Sequence, residues 1–467
     1  MAIPERERIE EMELEVLPYP YQVARTDVPN TLGSRLEHRH PENSGGGCGG
    51  SLPPPGPESV PARTRTKSQI LQGRLQLATL FWTMFLAGWH DGSIGPLLPR
   101  VQEVYHINDT IVSLIFVFSC LGFVIGATVI VPLFEKLGFG RSQVNKISFI
   151  PSTFQHMIAS ALQSAKLPFP AFVMAYTLAG IGISTLDAGT SAYVANIKDS
   201  PGTKMSLLHA IYGCGAFCAP LVSTQFARLP QYWSFHFLVS LGIGGIAVVA
   251  LLLVFRLRSM EDSLAAMGQP RDENDTVNEG SLKHILKQTR VHLLALYILV
   301  FIGVEVTIGG WIVTYVIRLR DGGSNSGYIS SGFYAGPVLL LWFNTMMGER
   351  LAAVVYSLLA IGLELIVWLV PSLIGEGVSI AIVGLFLGPL YPIAMNHARR
   401  ILPRWMLTGS IGWICGVGQT GAAIVPFATG ALAGKFGIGS LQPLLVAMMA
   451  FMIVLWVVVP GGPKRMD

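Results

Sequence analysis

The sequence predicts an all-α integral membrane protein, with twelve transmembrane helices in two six-helix halves and both the N and C termini cytosolic. Three observations lead there. The 467 residues are 51% hydrophobic and only 13% charged, with a mean hydropathy of +0.53, which is about half the charge of an ordinary soluble domain. Apolar runs close to the roughly 20 residues needed to cross about 30 Å of hydrocarbon recur along most of the chain. Lys and Arg also sort by side, crowding residues 63–74, 256–290 and 461–467. The opposite loops hold little beyond Arg100, Lys166, Arg228, Arg318, Arg320 and Lys435, as the positive-inside rule requires.

Residues 1–74 contain "ERERIEEMELE", "ENSGGGCGGSLPPPGPES" and "RTRTK". This composition reads as a disordered cytosolic tail, with the first span acting as internal signal. The N-terminal half, 75–255, carries spans expected at 75–99, 110–133, 147–165, 169–195, 205–227 and 235–255. The third, "ISFIPSTFQHMIASALQSA", is the least apolar, with Gln155 and His156 inside it. Residues 256–290 form a polar cytosolic linker. The C-terminal half, 291–460, carries spans at 291–317, 328–344, 350–370, 378–396, 407–432 and 442–460, the eighth being the shortest, and residues 461–467 are a second cytosolic tail.

The even split points to an internal repeat. Sliding the chain by 214 positions places "DGSIG", Asp91 to Gly95, on "EVTIG", Glu305 to Gly309. Gly213, Gly215 and Pro220 echo Gly416, Gly418 and Pro426 in spans five and eleven. Parallel six-span halves with a central site are a common plan of secondary transporters.

An ionised carboxylate in hydrocarbon costs several kcal/mol and survives where something uses it. In span one, Gly88, Asp91, Gly92 and Gly95 fall on one helical face, so Asp91 projects into whatever that face meets. Pro96 and Pro99 are expected to end or kink the span, with Arg100 capping it. Asp91 is either a structural hydrogen-bonding group or a site that binds and releases a proton. In span four, Gly180, Ser184, Asp187 and Ser191 share a face, with His90 and His209 as the nearby basic candidates. Glu305 in span seven precedes Trp311 and Tyr315; these rings could stack on a sugar face, and an interfacial aromatic belt explains them equally well. Asn396 and Gln419 are candidate substrate hydrogen-bonders in the helices rich in Gly and Pro. Glu364, in "AIGLELIVWLV", has bulky apolar neighbours and is expected to be structural or lipid-facing.

Between spans two and three stands "PLFEKLGFGR", where Glu135, Lys136, Gly138 and Arg141 make an acid–base cluster on a tight turn. The loop resembles the signature loop of the major facilitator superfamily. "GWHDGSIGPLLPRVQ", "GVEVTIGGWIVTYV", "LLHAIYGCGAFCAPLV" and "GPLYPIAMNHARRILPRWMLTGSIGW" resemble its fucose permease-like branch, particularly the fungal members, over roughly residues 76–460. The resemblance implies alternating access around a central cavity and proton coupling through acids of spans one and four, here Asp91 and Asp187. It also implies a cytosolic gate at Glu135, Lys136, Gly138 and Arg141, and sugars as the prototype substrate. The chain departs from that branch where "SGFYAG" runs directly into "PVLLLWFN" and the second signature loop is reduced to "NTMMGER".

The expected function is proton-coupled symport of a small polar solute such as a monosaccharide. An exporter, a uniporter of the same fold and a non-transporting nutrient sensor are the alternatives. Five cysteines show no disulfide framework or zinc spacing,. No nucleophile–base pair, metal cluster or phosphate loop suggests an enzyme or a cofactor. The net charge of +4 does not suggest nucleic acid. The expected partners are a small polar solute such as a hexose, protons and the lipid bilayer, with a monomer in the plasma membrane as the default.

Overall fold

The computed structural model describes residues 65–130, 149–256, 258, 260–269, 282–335, 348–403 and 406–461. The loop residues Glu135, Lys136, Gly138 and Arg141 lie outside these, as do residues 257, 259 and 270–281 of the linker and residues 1–64 of the N-terminal tail.

Helix α1, Lys67–Tyr105, starts from a capping box in which the Gln69 amide donates to the Thr66 hydroxyl and Gln69 Oε1 accepts from the Thr66 N–H at 2.9 Å,. It therefore begins earlier than residue 75. It also runs through Pro96 and Pro99 instead of ending there. Leu97, Leu98 and Val101 are buried around those prolines, and this packing holds the helix together despite the lost backbone donors,. His106, in the left-handed region at φ 53°, terminates it,. Arg100 does not cap its own helix: its Nε donates to the Ala227 carbonyl at the end of the fifth helix, at 2.6 Å.

The remaining N-terminal helices are α2 (Asp109–Thr128), α3 (Phe149–Ser164), α4 (Phe169–Ala195), α5 (Pro201–Ala227) and α6 (His236–Phe255). The C-terminal ones are α7 (Thr289–Leu319), α8 (Tyr328–Tyr334), α9 (Glu349–Leu369), α10 (Leu373–Ile401), α11 (Gly409–Phe436) and α12 (Leu441–Val458). Among the described residues, nine helices are long and apolar enough to cross a membrane. The polar residues of α1, the 16 described residues of α3 and the short described part of α8 keep those three out of that set. The breakers in the tenth span act where the sequence places them: α10 is interrupted at Gly388 and Pro389. The linker is not wholly solvated. Met260–Ala266 is helical, Ser263 is buried, and the Gln76 amide donates to the Ser263 carbonyl at 3.0 Å.

The polarity of α3 is confined to one side. Ser152, Thr153, His156, Ser160 and Gln163 are buried, while Phe154, Ile158 and Leu162 are exposed. Ser152 and Thr185 of α4 are hydrogen-bonded at 2.6 Å, and His156 packs edge-on against His90. A helix inverted in this way meets lipid with its few apolar residues and uses its polar ones to bind other helices.

The two halves pack alike. In the first, α1 lies against α5 and α6, and α4 against α2 and α3; in the second, α7 lies against α11 and α12, and α10 against α8 and α9. Close backbone approach makes these pairs possible: Gly88 and Gly92 meet the α5 backbone at Tyr212 and Ala216, and Gly421 meets the α7 backbone at Leu299. Between the halves, α1 touches α7, α5 touches α8 and α2 touches α11. The two glycines matched by the internal repeat meet each other, since a Cβ on Gly95 would overlap the Gly309 carbonyl oxygen. Equivalent residues can touch only close to the axis that relates the halves, so this contact marks that axis.

Gly95→Val should force α1 from α7 and cost ~1–3 kcal/mol, the usual range for overpacking. Gly213→Ala, where an added Cβ meets nothing within 4 Å, should leave thermal unfolding in detergent unchanged.

Candidate functional site

One turn before the Gly95–Gly309 contact, on the N-terminal side of each helix, stand Asp91 and Glu305. Both are partly exposed, as is Asp187 on α4. Asp91 accepts a hydrogen bond from the Tyr212 hydroxyl of α5 at 2.6 Å. It interacts electrostatically with Asp187 and with Glu305, which joins the three acids in one field. Asp187 has the His209 imidazole of α5 as an electrostatic neighbour and Ser191, one turn on, as a long hydrogen-bond donor at 3.4 Å.

Tyrosines from both halves complete the site. Tyr334 of α8 places its hydroxyl over Gly309, where a Cβ would overlap it, and interacts with Glu305 and Asp91. Tyr391 of α10 pairs with Cys415 of α11 at 3.3 Å and interacts with Asp187 and Glu305. The result is a polar centre drawn from α1, α4, α5, α7, α8 and α10, with three carboxylates and three phenol hydroxyls, and Cys415 of α11 beside it. His209 is the nearest basic side chain that these interactions include. Chemically, such a space accepts hydrogen bonds from hydroxyl or ammonium groups and repels anions.

Several expected residues lie elsewhere. His90 faces α3 and α4, stacking near His156 and Tyr176, and is no partner of Asp91. Trp311 is fully buried, its Nε1 donating to the Pro426 carbonyl at 3.1 Å, and it packs near Phe116 of α2. Tyr315 is buried too and accepts from Arg320 at 3.2 Å. Neither ring presents surface to a solute here. Asn396 is exposed near the start of α9, its amide 3.4 Å from Glu349. Gln419 is half-buried where α2 meets α11, its carbonyl accepting from the Cys120 thiol at 3.4 Å. Glu364 is fully buried within the C-terminal half, which removes a lipid-facing place for it.

The residues missed by sequence reasoning are Tyr212, Tyr334 and Tyr391, together with a contact that joins the halves. At the α1–α2 end, Arg318 of α7 binds Asp109 at 2.9 Å and Gln102 at 3.0 Å, and the Gln102 amide donates to Asp109 at 2.6 Å. Nearby, Gln225 of α5 hydrogen-bonds Tyr328 of α8, and Gly327 sits against Thr224. Among the described residues, the hydrogen bonds that cross between halves lie at this end or at the middle of the bundle. Arg318 and Asp109 carry no signal in the sequence beyond being charges in or beside loops.

A bundle of two alike-packed halves around a shared polar centre is the architecture of a membrane transporter. The Major Facilitator Superfamily profile matches residues 80–375, and the chain belongs to that family. It is 25% identical over 416 residues to bypass of stop codon protein 6 of Saccharomyces cerevisiae, covering 83% of this chain and 82% of that one. It is 22% identical over 355 residues to the glucose/mannose transporter GlcP of Bacillus subtilis, covering 74% and 85%. Among solved structures, the xylose transporter XylE from E. coli, in an inward-open conformation, superposes with a TM-score of 0.65 at 14% identity, covering 85% of this chain and 97% of that one. The E. coli fucose:proton symporter FucP superposes with a TM-score of 0.56 at 16% identity, covering 84% and 100%. The protein is thus a multi-pass membrane transporter.

Arg318→Ala should loosen the contact between halves at the α1–α2 end. In a chain whose own cysteines are replaced by serine, Thr224→Cys should then react severalfold faster with a membrane-impermeant thiol reagent. Thr224 is buried in the present structure, so an unchanged rate would show that other contacts keep this end shut.

Proposed function

We propose that the protein is a proton-coupled symporter that moves a small polar solute, with a monosaccharide as the leading class, into the cytosol by alternating access. The observation that carries this reading is the convergence of Asp91, Asp187 and Glu305 with Tyr212, Tyr334 and Tyr391 at the meeting of the halves. Three acids in one low-dielectric space cannot all stay ionised without a compensating charge, so at least one must carry a proton or meet a cation. Carboxylates and phenol hydroxyls also suit the ring hydroxyls of a sugar, which donate and accept in close succession.

In this reading Asp91 and Asp187 couple to protons or hold the solute, and Glu305 supplies the same chemistry from the second half. The Tyr212 hydroxyl orients Asp91. The glucose/mannose, xylose and fucose specificities named for GlcP, XylE and FucP support the sugar class. Cytosolic termini, the plasma membrane and a gate at Glu135, Lys136, Gly138 and Arg141 belong to the same proposal, on the strength of charge placement and the signature-like loop.

The test is uptake of labelled hexoses and pentoses into proteoliposomes with and without an inward proton gradient. Wild type should accumulate a solute only with the gradient, and Asp91→Asn should lose accumulation while keeping exchange. Unaltered gradient-driven uptake in Asp91→Asn would remove Asp91 from the coupling.

A further inference from the structure

The C-terminal half buries a second group of acids, away from the central space. Glu364, midway along the outer part of α9, is 0% exposed, and neither of its carboxylate oxygens has a hydrogen-bond partner of normal geometry among the described residues. It faces Gln442 at the start of α12, whose amide is buried and likewise without a regular hydrogen bond. It interacts electrostatically with Glu376, in the first turn of α10, and with Tyr315 of α7. Glu376 is 1% exposed and pairs through Oε1 with Arg320, leaving Oε2 unpartnered. Arg320 also donates to the Tyr315 hydroxyl at 3.2 Å and to the carbonyls of Val367 and Trp368 at 3.0 and 3.2 Å. It thereby ties the end of α7 to the end of α9.

The charges around Glu364 are therefore Glu376 from α10 and Arg320 from α7, with Tyr315 as the neighbouring phenol. Tyr356 lies two turns away on α9 itself, and α12 contributes only the neutral amide of Gln442. Arg320 pairs with Glu376, so the cluster as a whole holds two carboxylates and one guanidinium. If both were ionised, a net negative charge would sit in a dry interior, with only the neutral Gln442 amide beside Glu364 to offset that cost,. One added proton makes the cluster neutral.

We propose that Glu364, backed by Glu376, Arg320, Tyr315 and Gln442, is a proton-binding site of the C-terminal half, separate from Asp91, Asp187 and Glu305. Water supplies the proton, which converts the carboxylate to the carboxylic acid; release returns it to water, and no other bond changes. The side chain of Arg320, 14% exposed, is the edge of the cluster that reaches solvent. Two residues before it, Arg318 binds Asp109 of the other half. The proton on Glu364 thus sits beside the segment of α7 that holds the halves together.

The test needs no transported solute. Infrared difference spectra of the full chain in lipid, recorded between acid and alkaline pH in H2O and D2O, should contain a protonated-carboxyl stretch that Glu364→Gln removes. Glu376→Gln should move the titration of the same band to lower pH, because it removes the carboxylate that repels an ionised Glu364. This second variant carries the test if Glu364→Gln does not fold. Spectra that Glu364→Gln leaves unchanged, or a band indifferent to Glu376→Gln, would overturn the site.

Discussion

Everything in this bundle depends on how closely α1 and α7 approach at Gly95 and Gly309. Lipid supplies no hydrophobic drive to press helices together, so association rests on van der Waals contact and interhelical hydrogen bonds, both of which need backbones to come near. With no Cβ on Gly95, α1 meets the α7 backbone directly, and the missing Cβ of Gly309 makes room for the Tyr334 hydroxyl. The acids one turn away, Asp91 and Glu305, are held beside each other as a consequence. Gly88 and Gly92 do the same between α1 and α5, which brings the Tyr212 hydroxyl to Asp91.

Polar groups are then sorted by what they are asked to do. On α3 a face of Ser, Thr, His and Gln turns inward, with Ser152 hydrogen-bonded to Thr185 of α4 and His156 packed edge-on against His90. In the central space they remain partly exposed, where a solute or a proton can reach them. At the α1–α2 end, Arg318, Asp109 and Gln102 form a charged contact between halves whose buried member, Asp109, is fully paired. Such a contact favours the closed arrangement of that end: Arg318, its side chain 41% exposed, offsets the desolvation of the buried Asp109,.

Much of the helix pattern was legible from local properties. The apolar windows matched the described helices closely at α4 to α7, α9, α11 and α12, and the repeat places two touching residues in register. The errors have local physical causes. Pro96 and Pro99 read as a terminus, since proline removes a backbone donor, but tertiary packing at Leu97, Leu98 and Val101 overrides that cost,. Of the two places read for Glu364, structural or lipid-facing, burial removes the second, because Gln442 and Tyr315, far along the chain, and Glu376 of the next helix surround it. Trp311 and Tyr315 follow Glu305 closely in sequence, yet the turn of the helix points them at α2, α11 and Arg320.

By itself the sequence determined that this is a helical membrane protein, where its apolar helices lie, that its halves are related, and that Asp91, Asp187 and Glu305 are acids within the spans. Hydropathy, charge placement and short-period spacing are properties of contiguous residues, so a linear reading reaches them. Only the tertiary structure decided which acids share a space, that tyrosines from α5, α8 and α10 complete it, and that Arg318 joins the halves while Arg320 serves one of them. Those facts depend on the rotation of each helix about its axis and on contacts between residues more than a hundred positions apart, such as Asp91 with Tyr212 and Asp109 with Arg318.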